Sequence, residues 1–286
     1  MPGFANIKEL VDAELNGQSR RYNWRKTPSQ VTTADLWFDL SMSPGNPVPK
    51  YWFDAPPLVA KAIAQSTDGG IYHGQNVAPQ QQYLKMMTAI VAATGVPMPF
   101  ILLDYLMYYP SCDDSVTDPQ TMDNTVTLPR YSDGEGVQMM AVSVAGRTGG
   151  QQFYVTYTNQ DGVTGRTSKT VFQSNAAALG TILTNNINSG ISNEPFIGLE
   201  GDDTGVRAIE SVTMLGGDVG LFTLILVKPI ASFIVPGSDA PVEKDFFLEA
   251  GVVPQIKDDA FLGLVTVPRG SLAATVLTGD LQVVFN

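Results

Sequence analysis

His73, in "GGIYHGQN", is the only histidine of the 286-residue chain, so any Ser-His-Asp or Cys-His mechanism has to run through it. Ser66 and Asp68 stand near it in sequence, and Cys112 is a distant nucleophile to pair with it. No G-x-S-x-G elbow occurs. The stretch "YPSCDD" sets Cys112 beside Asp113 and Asp114, and neighbouring carboxylates raise a thiol's pKa, the wrong direction for a nucleophile. A loop or interface histidine is the expectation for His73. Acidic pairs at Asp113-Asp114, Asp202-Asp203 and Asp258-Asp259 bring glycoside hydrolysis or Ca²⁺ binding to mind. Adjacent strand residues point to opposite faces, however, so such a pair is not a catalytic pair, and "GLEGDDTGVR" reads as a solvated turn. Trp37, Trp52, Tyr105, Tyr108 and Tyr109 would make a sugar or base platform if exposed, but their apolar neighbours favour packing. The expectation is a chain with no catalytic residue, no metal site and no cofactor.

The cationic groups are more suggestive. Net charge is −11, yet residues 1–30 hold Lys8, Arg20, Arg21, Arg25 and Lys26 against Glu9, Asp12 and Glu14. The remainder carries 12 basic and 25 acidic residues. This reads as a basic N-terminal arm docking on an acidic surface. Arg20, Arg21, Arg25 and Lys26 would make charge-assisted contacts to a neighbouring subunit, with Trp24 as the anchor between them. The acidic body should repel nucleic acid and anionic membranes. One cysteine permits no intrachain disulfide and no Cys-based zinc cage, which suits a reducing cytoplasm. No signal peptide is visible, and the longest apolar run, "VGLFTLILV" at 219–227, is too short to span a bilayer as a helix.

The elements that must position these groups are mostly strands. Only 16% of residues are charged, and 27 glycines with 19 prolines mark many turns. "FYVTYTNQDGVTGRTSKTVF" (153–172) alternates apolar and polar residues around an Asn-Gln-Asp-Gly turn, as a hairpin does. Further strands are expected at 99–110, 124–129, 136–145, 206–215, 219–228, 232–236, 245–250, 260–267 and 274–285. Residues 6–16 fit a short helix capped by Asn6 with Glu9 three positions on, and 55–66 fit a second. Residues 81–94 fit helix or strand equally. The fold class is therefore mainly β: a β-sandwich or jelly-roll-like domain at 123–286, a mixed loop-rich segment at 31–122 packing on it, and the arm at 1–30.

"LPRYSDGEGVQMMAV", "GVRAIESVTMLGGDVGLFTLILVKP", "APVEKDFFLEAGVVPQIKDDAFLGL" and the hairpin resemble segments of virion structural proteins of tailed bacteriophages. "MPGFANIKELVDA" is similar to their N-terminal arm and "GGIYHGQNV" to the loop after it. The resemblance covers most of the chain. It implies a virion component made in the host bacterial cytoplasm and present in many copies. Two placements follow from it: a capsid decoration or cement protein, often trimeric, clamping neighbouring capsomers, or the major capsid protein itself. The second needs a long spine helix, and no stretch of 20 residues here fits one. The partners implied are copies of itself, as a trimer, and the major capsid protein or other virion proteins, with no nucleic-acid sequence recognition and no membrane. A tail-associated carbohydrate-binding module is a third reading.

Overall fold

In the computed structural model, which describes residues 4, 6–92, 95–148, 150–175, 178–183, 194–250 and 253–286, Asn6 begins the first element as the sequence predicts. Its Oδ1 accepts from the Glu9 amide at 3.1 Å and its Nδ2 donates to the Glu9 carboxylate, capping helix α1, Ile7–Leu15. The other helices are α2, Gln65–Asp68, and α3, Phe246–Ala250. Among the described residues the ten strands of four or more residues are, in chain order, β1 Ser19–Lys26, β2 Gln82–Val91, β3 Met98–Asp113, β4 Gln138–Ser143, β5 Gln152–Asn159, β6 Val206–Met214, β7 Leu221–Val235, β8 Val242–Asp245, β9 Phe261–Thr266 and β10 Leu277–Phe285. The protein is mainly β, built from antiparallel sheets packed as a sandwich.

Three sheets share the chain. The first runs β9-β3-β7-β4, with Phe38–Asp39 on its β9 edge and Lys61–Ala62 also pairing with β3. Its central strands β3 and β7 pair along nearly their whole length, and 16 residues at about 3.3 Å each make β3 a spine of about 50 Å. The second sheet runs β8-β2-β10-β1, ending on Gly45–Asn46. The third pairs β5 with β6, flanked by the short Arg166–Thr167, Val171–Phe172 and Gln120–Thr121 strands.

Alternation along the spine sorts its side chains into three cores. Phe100, Leu102, Phe233 and Val235 pack with Trp24, Leu84, Leu277 and Leu281 of the second sheet. Farther along, Met107, Tyr109, Phe222 and Leu224 pack with Phe153, Val155, Ile209 and Val212 of the third. The opposite face, with Leu103, Tyr105, Tyr108 and Ile225, is roofed by Trp37, Met42, Trp52 and Ile63. Asp104 lies on the spine between the first two cores, fully buried, and Arg130 grips it with two hydrogen bonds of 2.7 and 2.8 Å. Arg130 also donates to the Ile63 and Tyr105 carbonyls, so this buried charge is fully partnered.

Several expected elements change. The proposed 55–66 helix is instead a loop, the Lys61–Ala62 strand and α2, because Pro56, Pro57 and a left-handed Leu58 (φ 61°) interrupt it. The region 124–129 contains no strand, and 245–250 is chiefly α3, begun by the Asp245 carboxylate accepting from the Leu248 amide. Within 81–94, Gln82–Val91 form strand β2, and residues 93–94 lie outside the described residues. The expected strands at 219–228 and 232–236 are one strand, β7: its ladder with β4 stops at Val227, so Pro229 lacks an N–H where that neighbour no longer needs one. Hydrogen-bonded pairing also crosses both expected boundaries, since β1 pairs with β10 and β3 with β7 and β9.

Candidate functional site

The five residues expected on a basic arm lie on β1, an interior strand hydrogen-bonded to β10 through eight residue pairs and to Gly45–Asn46 on its other side. No free arm spans 19–26. Strand alternation divides the five: Trp24 and Lys26 point inward, while Arg21 and Arg25, with Asn23 between them, point out. Trp24 is fully buried against Phe100, with ring centroids 6.4 Å apart, so it anchors this chain's own core rather than a partner. The Lys26 ammonium donates to the Pro47 and Ser43 carbonyls at 2.9 and 3.1 Å. Burial lowers its pKa to about 8 against the opposing pull of Asp39. Arg20 is exposed and bends back to the Gly17 and Ser19 carbonyls. Arg21 and Arg25 are exposed and form no ion pair among the described residues. The sequence reading missed this strand because Arg20 and Lys26 share the inward phase of "SRRYNWRK" with Tyr22 and Trp24, leaving only two aromatic residues to mark the alternation.

The outer face around these arginines is concave. Asn23, Thr88, Ile90, Pro241, Thr278 and Asp280 line a hollow of about 200 Å³ there. Asn23 donates to the Asp280 carboxylate, which lies across from it on β10. Gly279 forms part of the floor, and a Cβ there would come within 1.9 Å of the Thr88 carbonyl oxygen.

His73 and Cys112, through which a nucleophilic mechanism would have to run, are enclosed. His73 is 1% exposed, with Nδ1 2.7 Å from the Gln82 amide oxygen and Nε2 2.9 Å from the Ala260 carbonyl. Burial lowers its pKa below the ordinary value although both contacts favour the proton. Ser66 and Asp68 do not engage it: Ser66 donates to Asp259, and Asp68 binds Lys50 at 2.9 Å. Cys112 is buried in the second core, and burial, more than Asp114, pushes its thiol well up. Among the described residues no group of three His, Cys, Asp or Glu side chains is placed to hold a metal ion. Trp37, Trp52, Tyr105, Tyr108 and Tyr109 are all buried, so they form core and not a platform. Within this core Asp39 accepts from Trp52 Nε1, Tyr105 Oη, Ser41 Oγ and the Ser41 amide, which satisfies a carboxylate that burial pushes toward protonation.

That core holds up a loop that its prolines predict, but whose outward-facing rings the sequence reading did not separate from the packed ones. In "PVPKYWF", Trp52 stacks on Tyr105 at 5.1 Å and is fully buried, which turns its neighbours Tyr51 and Phe53 outward. They are 43% and 44% exposed and lie 5.5 Å apart, with Val48 72% exposed nearby. Lys50, buried beneath, ties the loop to Asp54 and Asp68 at 2.5 and 2.9 Å. The exposed rings are therefore fixed by what lies under them. The local signal is slight: in the turn at "KYWF", Lys50 and Trp52 are buried while Tyr51 and Phe53 are exposed, and it is the buried partners of Trp52 that decide this.

At the far end of the third sheet three loops meet. Gln160 Oε1 accepts from the Thr204 and Gly205 amides, Thr204 Oγ1 donates to Glu135, and Arg207 Nε donates to the Asp133 carbonyl. Asp203 is bonded by Tyr157, Asn159 and Arg166 at 2.7 to 2.8 Å. Burial alone would raise its pKa; the three donors outweigh that and hold it at about 2. Asp133, Glu135, Asp161 and Asp202 remain exposed, so this tightly bonded end of the molecule is strongly acidic.

No protein-family model and no curated protein matches the chain. Solved structures similar to it include the VP2 subviral particle of infectious bursal disease virus, 11% identical over 94% of this chain and 80% of that one, at a TM-score of 0.19. The Gt and Gx strain structures of the same virus are 11% and 10% identical over 94% of this chain and 81% and 80% of theirs, at TM-scores of 0.15 and 0.16. Likeness at this level carries no conclusion about this chain.

Proposed function

We propose that the chain is a tailed-bacteriophage virion structural protein that binds the capsid lattice as a decoration or cement protein and stabilises the head. The observation that carries this reading is the rigid, outward-facing Tyr51–Phe53 pair on its buried Trp52 anchor. Exposed aromatic side chains fixed in advance lose little entropy on docking, and such residues dominate protein interfaces. The enclosure of His73, Cys112 and Asp39 supports a surface role in place of catalysis. Among the described residues the longest helix is the nine-residue α1, which supports decoration over the long-helix architecture implied for a major capsid protein. Contacts repeated over a symmetric lattice add avidity, so each one need only be modest.

Purified chain should pellet with undecorated particles and raise the temperature at which they rupture. Tyr51→Ser with Phe53→Ser should cut that attachment by tenfold or more, roughly the effect of losing one interface hot spot, while leaving the chain's own melting temperature unchanged. Undiminished attachment of the double variant would refute the role of this loop, and absence of the chain from virions would refute the proposal as a whole. The same exposed rings also suit a carbohydrate-binding module on a tail; a glycan-dependent rise in melting temperature, lost in the double variant, would favour that reading instead.

A further inference from the structure

We propose that the Arg21–Arg25 face of one copy seats the acidic loop end of a second copy, so that the chain associates head to tail through two different patches. This rests on the reading of the chain as a virion protein that works in multiple copies, and it names both halves of the contact between them.

Charge is the first ground. Arg21 and Arg25 are exposed arginines without an ion pair among the described residues, in a chain whose net charge is −11. Four residues apart on one face of β1, they stand about 13 Å from each other at ~3.3 Å per residue. Two guanidiniums so spaced favour carboxylates held at more than one point, and arginine pairs with a carboxylate through two parallel hydrogen bonds where lysine offers a point charge. The complement lies on the same chain: Asp133, Glu135, Asp161 and Asp202 are exposed on loops that cross-bond one another.

Shape is the second ground. Asn23, between the two arginines on β1, and Thr278, paired with Arg25, line a hollow of about 200 Å³, whereas the acidic residues sit on three loops that meet at the end of the third sheet. Asp280, the carboxylate inside the hollow, accepts from Asn23 and Thr88, its own backbone amide donates to Thr88, and it forms no ion pair with either arginine. One copy cannot close the contact on itself. The face belongs to the second sheet and the acidic end to the third, which pack at opposite ends of a spine about 50 Å long. Because the two patches differ, the contact is heterologous and either closes into a ring or continues across a lattice.

Analytical ultracentrifugation of the full chain tests this. The wild type should associate at low salt and dissociate at high salt, because exposed charges are screened beyond about 8 Å at physiological ionic strength. Arg21→Glu with Arg25→Glu, and separately Asp161→Arg with Asp202→Arg, should each weaken association by about tenfold or more. An equal mixture of the two variants should restore it, since each then meets its opposite charge. If a reversal lowers the melting temperature, the near-isosteric pairs Arg21→Gln with Arg25→Gln and Asp161→Asn with Asp202→Asn replace it, each expected to weaken association with the fold intact. A wild type that stays monomeric at low salt, a reversed variant that associates like the wild type, or folded variants that fail to rescue each other would overturn the contact. Particle pelleting is read separately: loss of attachment by a chain that still self-associates overturns the lattice reading and leaves this contact standing.

Discussion

His73 illustrates how the surroundings of one side chain decide what it can do. A neutral imidazole carries one N–H, yet both ring nitrogens here face carbonyl oxygens, and the ring has almost no access to water. Burial nonetheless keeps its folded pKa below the unfolded value of 6.5. The unfolded chain therefore takes up the proton first as pH falls, and stability drops as pH descends through about 6.5 toward the folded pKa. His73→Gln should lower stability at neutral pH but flatten this dependence. Melting temperatures at about pH 7.5 and about pH 5.5 give the comparison; equal slopes for variant and wild type would show that His73 contributes nothing to it. The sequence reads His73 as a loop or interface histidine, and it lies in a loop. The sequence could not foresee Gln82 and Ala260 as its partners, because the latter lies 187 residues away and comes to it only through the packing of β9.

At the scale of elements, β1 carries the largest departure from what the sequence suggested. A polar, arginine-rich stretch reads as an arm when only composition is available, but its backbone completes a sheet and its Trp24 fills a core. Removing residues 1–27 should therefore expose the edge of β10, strip Trp24 from the first core and leave a chain that aggregates or fails to fold. Deletion of a buried aromatic side chain alone costs about 3–5 kcal/mol, a large part of a domain's whole stability. Removing residues 1–16 takes away α1, which packs in a small cluster with Tyr83, Val284, Phe247 and Val253 apart from the three main cores, and should leave the chain folded. Circular dichroism and gel filtration of the two truncations distinguish a sheet strand from an arm; a folded, monodisperse 28–286 chain would restore the arm. Elements with strong alternation, cap chemistry or an unbroken apolar run, such as β5, β6, α1 and β9, were legible because local residues determine them. Those such as β1 and β8 were not, nor was which rings of the "KYWF" stretch face out, because distant strands and buried anchors determine them.

On the scale of the whole molecule, the spine governs how the parts share stability. β3 and β7 contribute side chains to both cores, with the Asp104–Arg130 pair at the junction and no loop between the two halves of either strand. If one core loosens, the ladder that frames the other loosens with it, so the two should melt as a unit. The tryptophans provide the test. Trp24 lies in the first core and Trp37 and Trp52 in the roofed face, so all three sit outside the second core. Phe153 lies inside it, stacked on Phe222 at 5.0 Å. Phe153→Leu trims that core and should cost about 1 kcal/mol. The fluorescence midpoint in denaturant should then fall together with the midpoint from far-ultraviolet circular dichroism, by the same amount and with an unchanged slope. A fluorescence transition that stays where the wild type has it, beside a dichroism curve split in two, would mean that the sheets at either end unfold independently. A lattice component built that way would transmit little strain from its acidic end to its arginine face, whereas a single cooperative body holds both patches at a fixed separation, as a repeated head-to-tail contact requires.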